Sequence, residues 1–155
     1  MGNFSVERRS LKLQTKTAPE FIDLTDNVTA FVTESGITEG TVTVYSKHTT
    51  GAIRINENET GIQKDFTDHL EKMLPRHKYY THNDLTIRTE NLECDDDVCA
   101  KNGHAHQQHF LLGTSETIPV AEGKLTLGRW QRIFFIELCS PRKREVVLQV
   151  MGLKK

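Results

Sequence analysis

The feature that most constrains how this chain folds is the placement of its histidines. Four of the seven lie in three short polar islands set against apolar, strand-forming or helix-forming sequence. His48 opens Lys47-His48-Thr49-Thr50-Gly51, directly after an alternating apolar run. His82 sits in Tyr80-Thr81-His82-Asn83-Asp84. His104 and His106 sit in Asn102-Gly103-His104-Ala105-His106, directly before another apolar run. Core histidines usually stand singly among apolar neighbours, so three polar islands point to one assembled site. Neutral imidazole is the commonest metal ligand and the usual acid or base near pH 7. The fold must therefore bring three distant segments together.

A chain of 155 residues suits a single domain, 1–155, with a real core. The net charge is −1, without the basic excess of a general nucleic-acid binder, so no nucleic-acid partner is expected. The C-terminal stretch is locally basic (Arg129, Arg132, Arg142, Lys143, Arg144), which suits a small anion such as phosphate. No apolar run approaches the roughly 20 residues that span a bilayer, and no membrane partner is expected. The N-terminus has no apolar signal core. Three cysteines, with Cys139 in an apolar strand-like run, favour a reducing cytoplasmic compartment over a disulfide framework.

Periodicity predicts strands over 4–15, 41–45, 52–55, 85–88, 117–120, 125–128, 132–139 and 146–150. Helical spacing predicts helices over 27–35, 60–74 and 105–112. Residues 36–40 read as a break, and 48–51 as the connection between two strands. Ser140-Pro141-Arg142-Lys143 reads as a hairpin turn between the last two long strands. The sum is an α+β domain with about three helices on a mainly antiparallel or mixed sheet.

Four constellations carry chemistry. His48, His82 and His106 are the best candidate metal set, since three protein ligands leave an open position on a catalytic ion. His104 is the reserve, because two residues at that spacing share a face on a strand and diverge on a helix. Asn56 and Glu57 follow a strand and offer an amide and a carboxylate for ordering water; as a solvated strand end leading into a helix they would do nothing more. Cys94 to Cys99 lacks the spacing of a zinc knuckle or an EF-hand and reads as a surface loop. Trp130 is a core anchor or a stacking plate, and Arg142 and Arg144 suit a phosphate. Glu137, inside Ile133-Phe134-Phe135-Ile136-Glu137-Leu138, must face water, a partner or a site.

Taken in order, His48-Thr49-Thr50, Asn56-Glu57, Tyr80-Thr81-His82, Asn102 through His106, Leu125-Thr126-Leu127-Gly128-Arg129-Trp130-Gln131 and Glu137 through Arg142 resemble the YjbQ-like family. The resemblance runs from about the second strand to the end. It implies an α+β subunit that assembles as a homotrimer, and a His-lined pocket able to hold a divalent metal, zinc or magnesium. It also implies a weak secondary thiamine-phosphate synthase activity, a transferase reaction on a small phosphorylated molecule. On that reading His48, His82 and His106 hold the metal, and Asn102, Trp130, Arg142 and Arg144 hold the ligand. Glu137, Asn56 and Glu57 orient it or move a proton. The family often has Asp-Gly where this chain has Cys139-Ser140, and the acidic segment between His82 and Asn102 is longer here. The alternatives are a metal-dependent phosphate-ester hydrolase, and a small-ligand or metal-binding protein with little catalysis.

Overall fold

The structure is a computed structural model and describes residues 2–93 and 100–154. The Cys94–Cys99 segment lies outside the described residues. The elements run β1 (Asn3–Gln14), β2 (Glu20–Asp23), α1 (Thr25–Ser35), β3 (Ile37–Ser46), β4 (Gly51–Asn56) and α2 (Thr60–Met73). A 3-10 turn (Thr81–Asn83) precedes α3 (Gly103–Leu112), β5 (Ser115–Ala121), β6 (Lys124–Leu125), β7 (Arg132–Glu137) and β8 (Lys143–Lys154). This is the α+β class the periodicity predicts. No helix among the described residues is long and apolar enough to cross a membrane.

The strands form two antiparallel sheets, one of five strands in the order β1-β8-β3-β5-β6 and one of three in the order β2-β7-β4. Period-two alternation sorts the side chains of β7. Ile133 and Phe135 point into the core shared with Val146, Leu148 and Val150 of β8 and with Val28, Phe31 and Val32 of α1. Phe134 and Ile136 point the other way, onto Leu70 of α2 and Ala105 and Leu112 of α3. The layers are thus large sheet, small sheet, then α2 and α3. A strand covered on both faces needs apolar residues at every position, which is why β7 reads as a continuous apolar run.

Four sequence expectations are corrected. Residues 36–40 are no break: β3 begins at Ile37 and absorbs the irregularity as a register shift between Ile37 and Glu39. Residues 85–88 are no strand, because Asp84 captures them locally. Its carbonyl accepts from Ile87 and Arg88 N–H, and its carboxylate from the backbone and hydroxyl of Thr86. Of 125–128, only Leu125 pairs in a strand; Gly128 N–H instead donates to the Gln131 side chain. Residues 140–143 are not a hairpin, since β7 and β8 lie in different sheets.

That last correction positions the site. Residues 140–142 carry the chain from the small sheet to the large one. Residues 47–50 cross from β3 to β4 and residues 15–19 from β1 to β2. The register places all three crossings at one end of the molecule, for Gly51 and Glu20 both pair with Glu137, and Gln14 pairs with Lys143.

Candidate functional site

Where the three crossings meet, the alternation of β7 turns Glu137 into the space between the sheets, and that of β8 turns Arg144 toward it. Glu137 is fully buried and Arg144 nearly so. Arg144 Nε donates to Glu137 Oε2 at 2.6 Å, and Arg144 Nη2 to Oε1 at 2.5 Å. Thr15 donates its hydroxyl to Oε2, the Leu138 and Cys139 N–H groups donate to Oε1, and Thr50 accepts from Arg144 Nη2. Every charge is paired, which is what makes an ion pair tolerable in so apolar a place. Glu137 is fully buried, and both its carboxylate oxygens are engaged by these partners. Arg144 borders the site, with Nε and Nη2 engaged by Glu137 and Thr50.

Over this pair lies an open basin of about 770 Å³. His48, His82, His106, Asn102, Arg142 and Arg144 all line it, together with Lys47, Thr49, Thr50, Thr81, Arg88 and Glu93. The three histidine islands thus reach one place. His48 is fixed by the crossing from β3 to β4. That crossing lies tight on the core, since a Cβ on Gly51 would fall 2.5 Å from the Phe135 ring. His48 Nε2 accepts the Glu145 N–H at 2.8 Å, so its proton sits on Nδ1. His82 and His106 meet because the N-terminus of α3 is pressed onto the 3-10 turn. Gly103 N–H donates to Asn83 Oδ1 at 2.8 Å, and a Cβ on Gly103 would fall 2.7 Å from Tyr80 Cβ. The two imidazoles stand 4.6 Å apart, centroid to centroid.

Asn102 is nearly buried and serves as a bracket. Its Oδ1 is 3.0 Å from His82 Nε2, and its Nδ2 donates to Cys139 Sγ at 3.4 Å. Arg88 Nη1 also approaches His82 Nε2, at 3.1 Å, but carbonyls of His82 and Ala100 at 3.2 and 3.1 Å take its two hydrogens. The arrangement that satisfies every group puts the His82 proton on Nε2, donated to Asn102, and leaves Nδ1 as a lone-pair base. All three imidazoles are held neutral at pH 7. Burial lowers His48, with the Arg144 charge adding to it; burial and then Arg88 lower His82; burial and then His82 push His106 down to about 4.

The expected metal set is corrected at this point. Among the described residues no group of three His, Cys, Asp or Glu side chains is placed to hold an ion. The reason is visible in the partners: His48 Nε2 is taken by a backbone N–H, and His82 Nε2 faces a guanidinium. In this arrangement the Nε2 atoms of His48 and His82 are not available to an ion.

Three other expected residues lie elsewhere. Asn56 pairs with Arg132, at the opposite end of β4 and β7 from Gly51 and Glu137. Six residues of strand separate the two ends by roughly 17 Å. Asn56 and Glu57 border a different, apolar cleft of about 210 Å³ with Phe21, Phe66 and Phe134. The neighbouring acid, Glu59, caps α2 by accepting from Gly61 and Ile62 N–H. Trp130 is 59% exposed under the Arg129 guanidinium and does not line the basin. Sequence reasoning missed Arg88, which reads as a strand residue, and Thr50, whose place at the end of the 47–50 crossing was a usable signal.

A family profile described as UPF0047 protein YjbQ-like matches residues 9–153. A UPF0047 protein of Methanothermobacter thermautotrophicus is 37% identical over 147 residues, covering 95% of this chain and 93% of its own. One of Archaeoglobus fulgidus is 39% identical over 141 residues, covering 91% and 98%. Among solved structures, a YbjQ-like protein of unknown function from Sulfolobus solfataricus superposes with a TM-score of 0.85 at 32% identity, over 97% of this chain and 99% of that one. A YjbQ/UPF0047 family protein of Clostridium acetobutylicum gives 0.78 at 34% identity, over 92% and 98%.

Proposed function

This chain belongs to the YjbQ-like UPF0047 family, and we propose that its basin binds a small phosphorylated molecule and catalyses group transfer of the secondary thiamine-phosphate synthase kind. The reaction joins a pyrimidine-methyl diphosphate to a thiazole phosphate. The thiazole nitrogen lone pair forms the new C–N bond as the C–O bond to diphosphate breaks, and the bonding pair leaves with the diphosphate. Such a reaction needs positive charge at the leaving group and a place to orient two rings. The observation that carries the reading is the pairing of neutral imidazoles with cations in one basin. Arg142 and Lys47, the latter paired with Glu145 at 3.2 Å, border it and would meet the diphosphate charge, and His82 Nδ1 and His106 offer uncharged hydrogen-bonding faces to a ring. A magnesium ion enters only as the counter-ion that a diphosphate substrate brings.

The reading includes a cytoplasmic homotrimer. What supports assembly is an apolar strip on the outer face of the large sheet. Phe4 pairs with Leu153 and Val6 with Met151, and all four are exposed, as is Tyr45 of β3. Light scattering at micromolar concentration should give about three times the 17.7 kDa chain mass; a monomer throughout would remove the trimer.

The test of function is purified protein with both substrates and magnesium, read for joined product and released diphosphate. Turnover that His82→Ala and His106→Ala abolish supports the transferase. Hydrolysis of a single phosphate ester would replace it with the hydrolase reading, with His82 Nδ1 taking the proton from water. Tight binding without turnover would leave a small-ligand binding protein.

A further inference from the structure

His104 and His106 are two residues apart on α3, which turns their side chains about 200° from one another. His106 faces the basin, and His104 faces a second, smaller space on the other side of the helix. That space is a cavity of about 90 Å³ bordered by His104, Gln108, Glu71, Arg76 and Leu138. His104 is 2% exposed and Gln108 3%. Oε1 of Gln108 has no hydrogen-bond partner among the described residues, and the ring nitrogens of His104 make no well-formed bond, the Leu138 backbone being the one polar group that interacts with the ring. Gln108 Nε2 is used, donating to the Leu74 carbonyl at 3.3 Å. Arg76 Nη2 is used as well, donating to the Cys139 carbonyl at 3.0 Å. Orphaned buried polar atoms are costly, and several around one polar cavity mark a bound partner that is not a side chain.

We propose that this cavity is a permanent hydration site, occupied by a cluster of about three water molecules that bridge His104 and Gln108 to Glu71 and Arg76. The donor and acceptor inventory selects water over its rivals. Neutral His104 offers one donor and one acceptor, while Gln108 Oε1 and the Glu71 carboxylate only accept. An anion would be drawn to Arg76 but would meet the Glu71 carboxylate and Gln108 Oε1 without a hydrogen to give them. A metal cation would meet the Arg76 guanidinium. Water donates and accepts, and the volume suits it at roughly 30 Å³ per molecule. Burial, and then the Arg76 charge, push the His104 pKa down to about 4, which keeps the ring in the form that does both. The cluster braces α3 from behind and so holds Asn102 and His106 toward the basin, whatever the basin binds.

A crystal structure near 1.5 Å resolution tests this directly. The expected result is two or more ordered water peaks within hydrogen-bond distance of His104 Nδ1 or Nε2 and Gln108 Oε1. An empty cavity, a lone spherical ion, or a side chain folded into the space would overturn it. A His104→Leu variant gives an independent sign. If water bridges His104, leucine strands the cluster and Gln108, and the melting temperature falls by several degrees. If the cavity is dry, leucine removes the poorly satisfied polar atoms of the buried ring at similar volume, and the melting temperature rises.

Discussion

Each end of the small sheet carries an arginine–carboxylate pair, and the two pairs differ in everything but their chemistry. At the crossing end, Arg144 and Glu137 have side chains 6% and 0% exposed, and each finds threonine or backbone partners besides the other. At the far end, Arg132 reaches Asp23 at 2.7 Å and Asp26 at 3.1 Å, with side chains 37%, 19% and 91% exposed. Burial, not charge, decides which pair has consequences. The exposed pair is screened by water and costs side-chain entropy to hold. The buried pair fixes the three sheet crossings to one another, and the basin is built from those crossings.

The largest effect that would break this contrast is at the buried pair. Arg144→Ala leaves an unpaired carboxylate in the core and should cost about 3–5 kcal/mol of stability, read by urea denaturation. A loss below about 1 kcal/mol would put the pair in the same class as the exposed one. Next is ligand binding. Arg142→Ala should weaken inorganic diphosphate binding by about 1.5–3 kcal/mol in calorimetry, while Trp130→Ala leaves it unchanged. Equal affinity for the Arg142 variant and the wild type would demote Arg142 to a solvated crossing residue.

Acid sharpens the comparison further. His48, His82, His104 and His106 all have folded pKa values below the usual 6.5, with His104 and His106 near 4. Between those values the unfolded chain binds more protons than the folded one, so stability rises with pH and is lost as pH falls from 6.5 toward 4. The limiting slope is about 1.4 kcal/mol per pH unit for each fully shifted histidine. His106→Asn should flatten the melting-temperature profile in that window, and an unchanged profile would show that His106 titrates normally. The smallest effect is Arg132→Ala, which should cost no more than about 1 kcal/mol; a loss near that of Arg144→Ala would erase the contrast.

Much of this was legible in the sequence, for reasons tied to particular residues. The strands and helices carry clear periods, and the three histidine islands announce a shared site because polar islands between apolar runs have few other places to go. The two-sheet arrangement was not legible. Pro141 and Ser140 punctuate a sheet crossing in the same way as a hairpin, and only the pairing of β7 with β2 and β4 tells them apart. That misplaced Asn56, Glu57 and Trp130, since strand ends look alike until register fixes which end is which. Glu137 stands out as anomalous in its run, but its partner seven residues on lies in another sheet, beyond the reach of any local pattern.

The central claim is that the functional surface is the crossing end of the small sheet. Backbone amide shifts during titration of inorganic diphosphate into labelled protein test it most directly. The account predicts changes concentrated at Lys47–Gly51, at Asn102–His106 and around Arg142. Changes concentrated at Asn56–Gln63 and Arg129–Arg132 would contradict it and move the site to the far end.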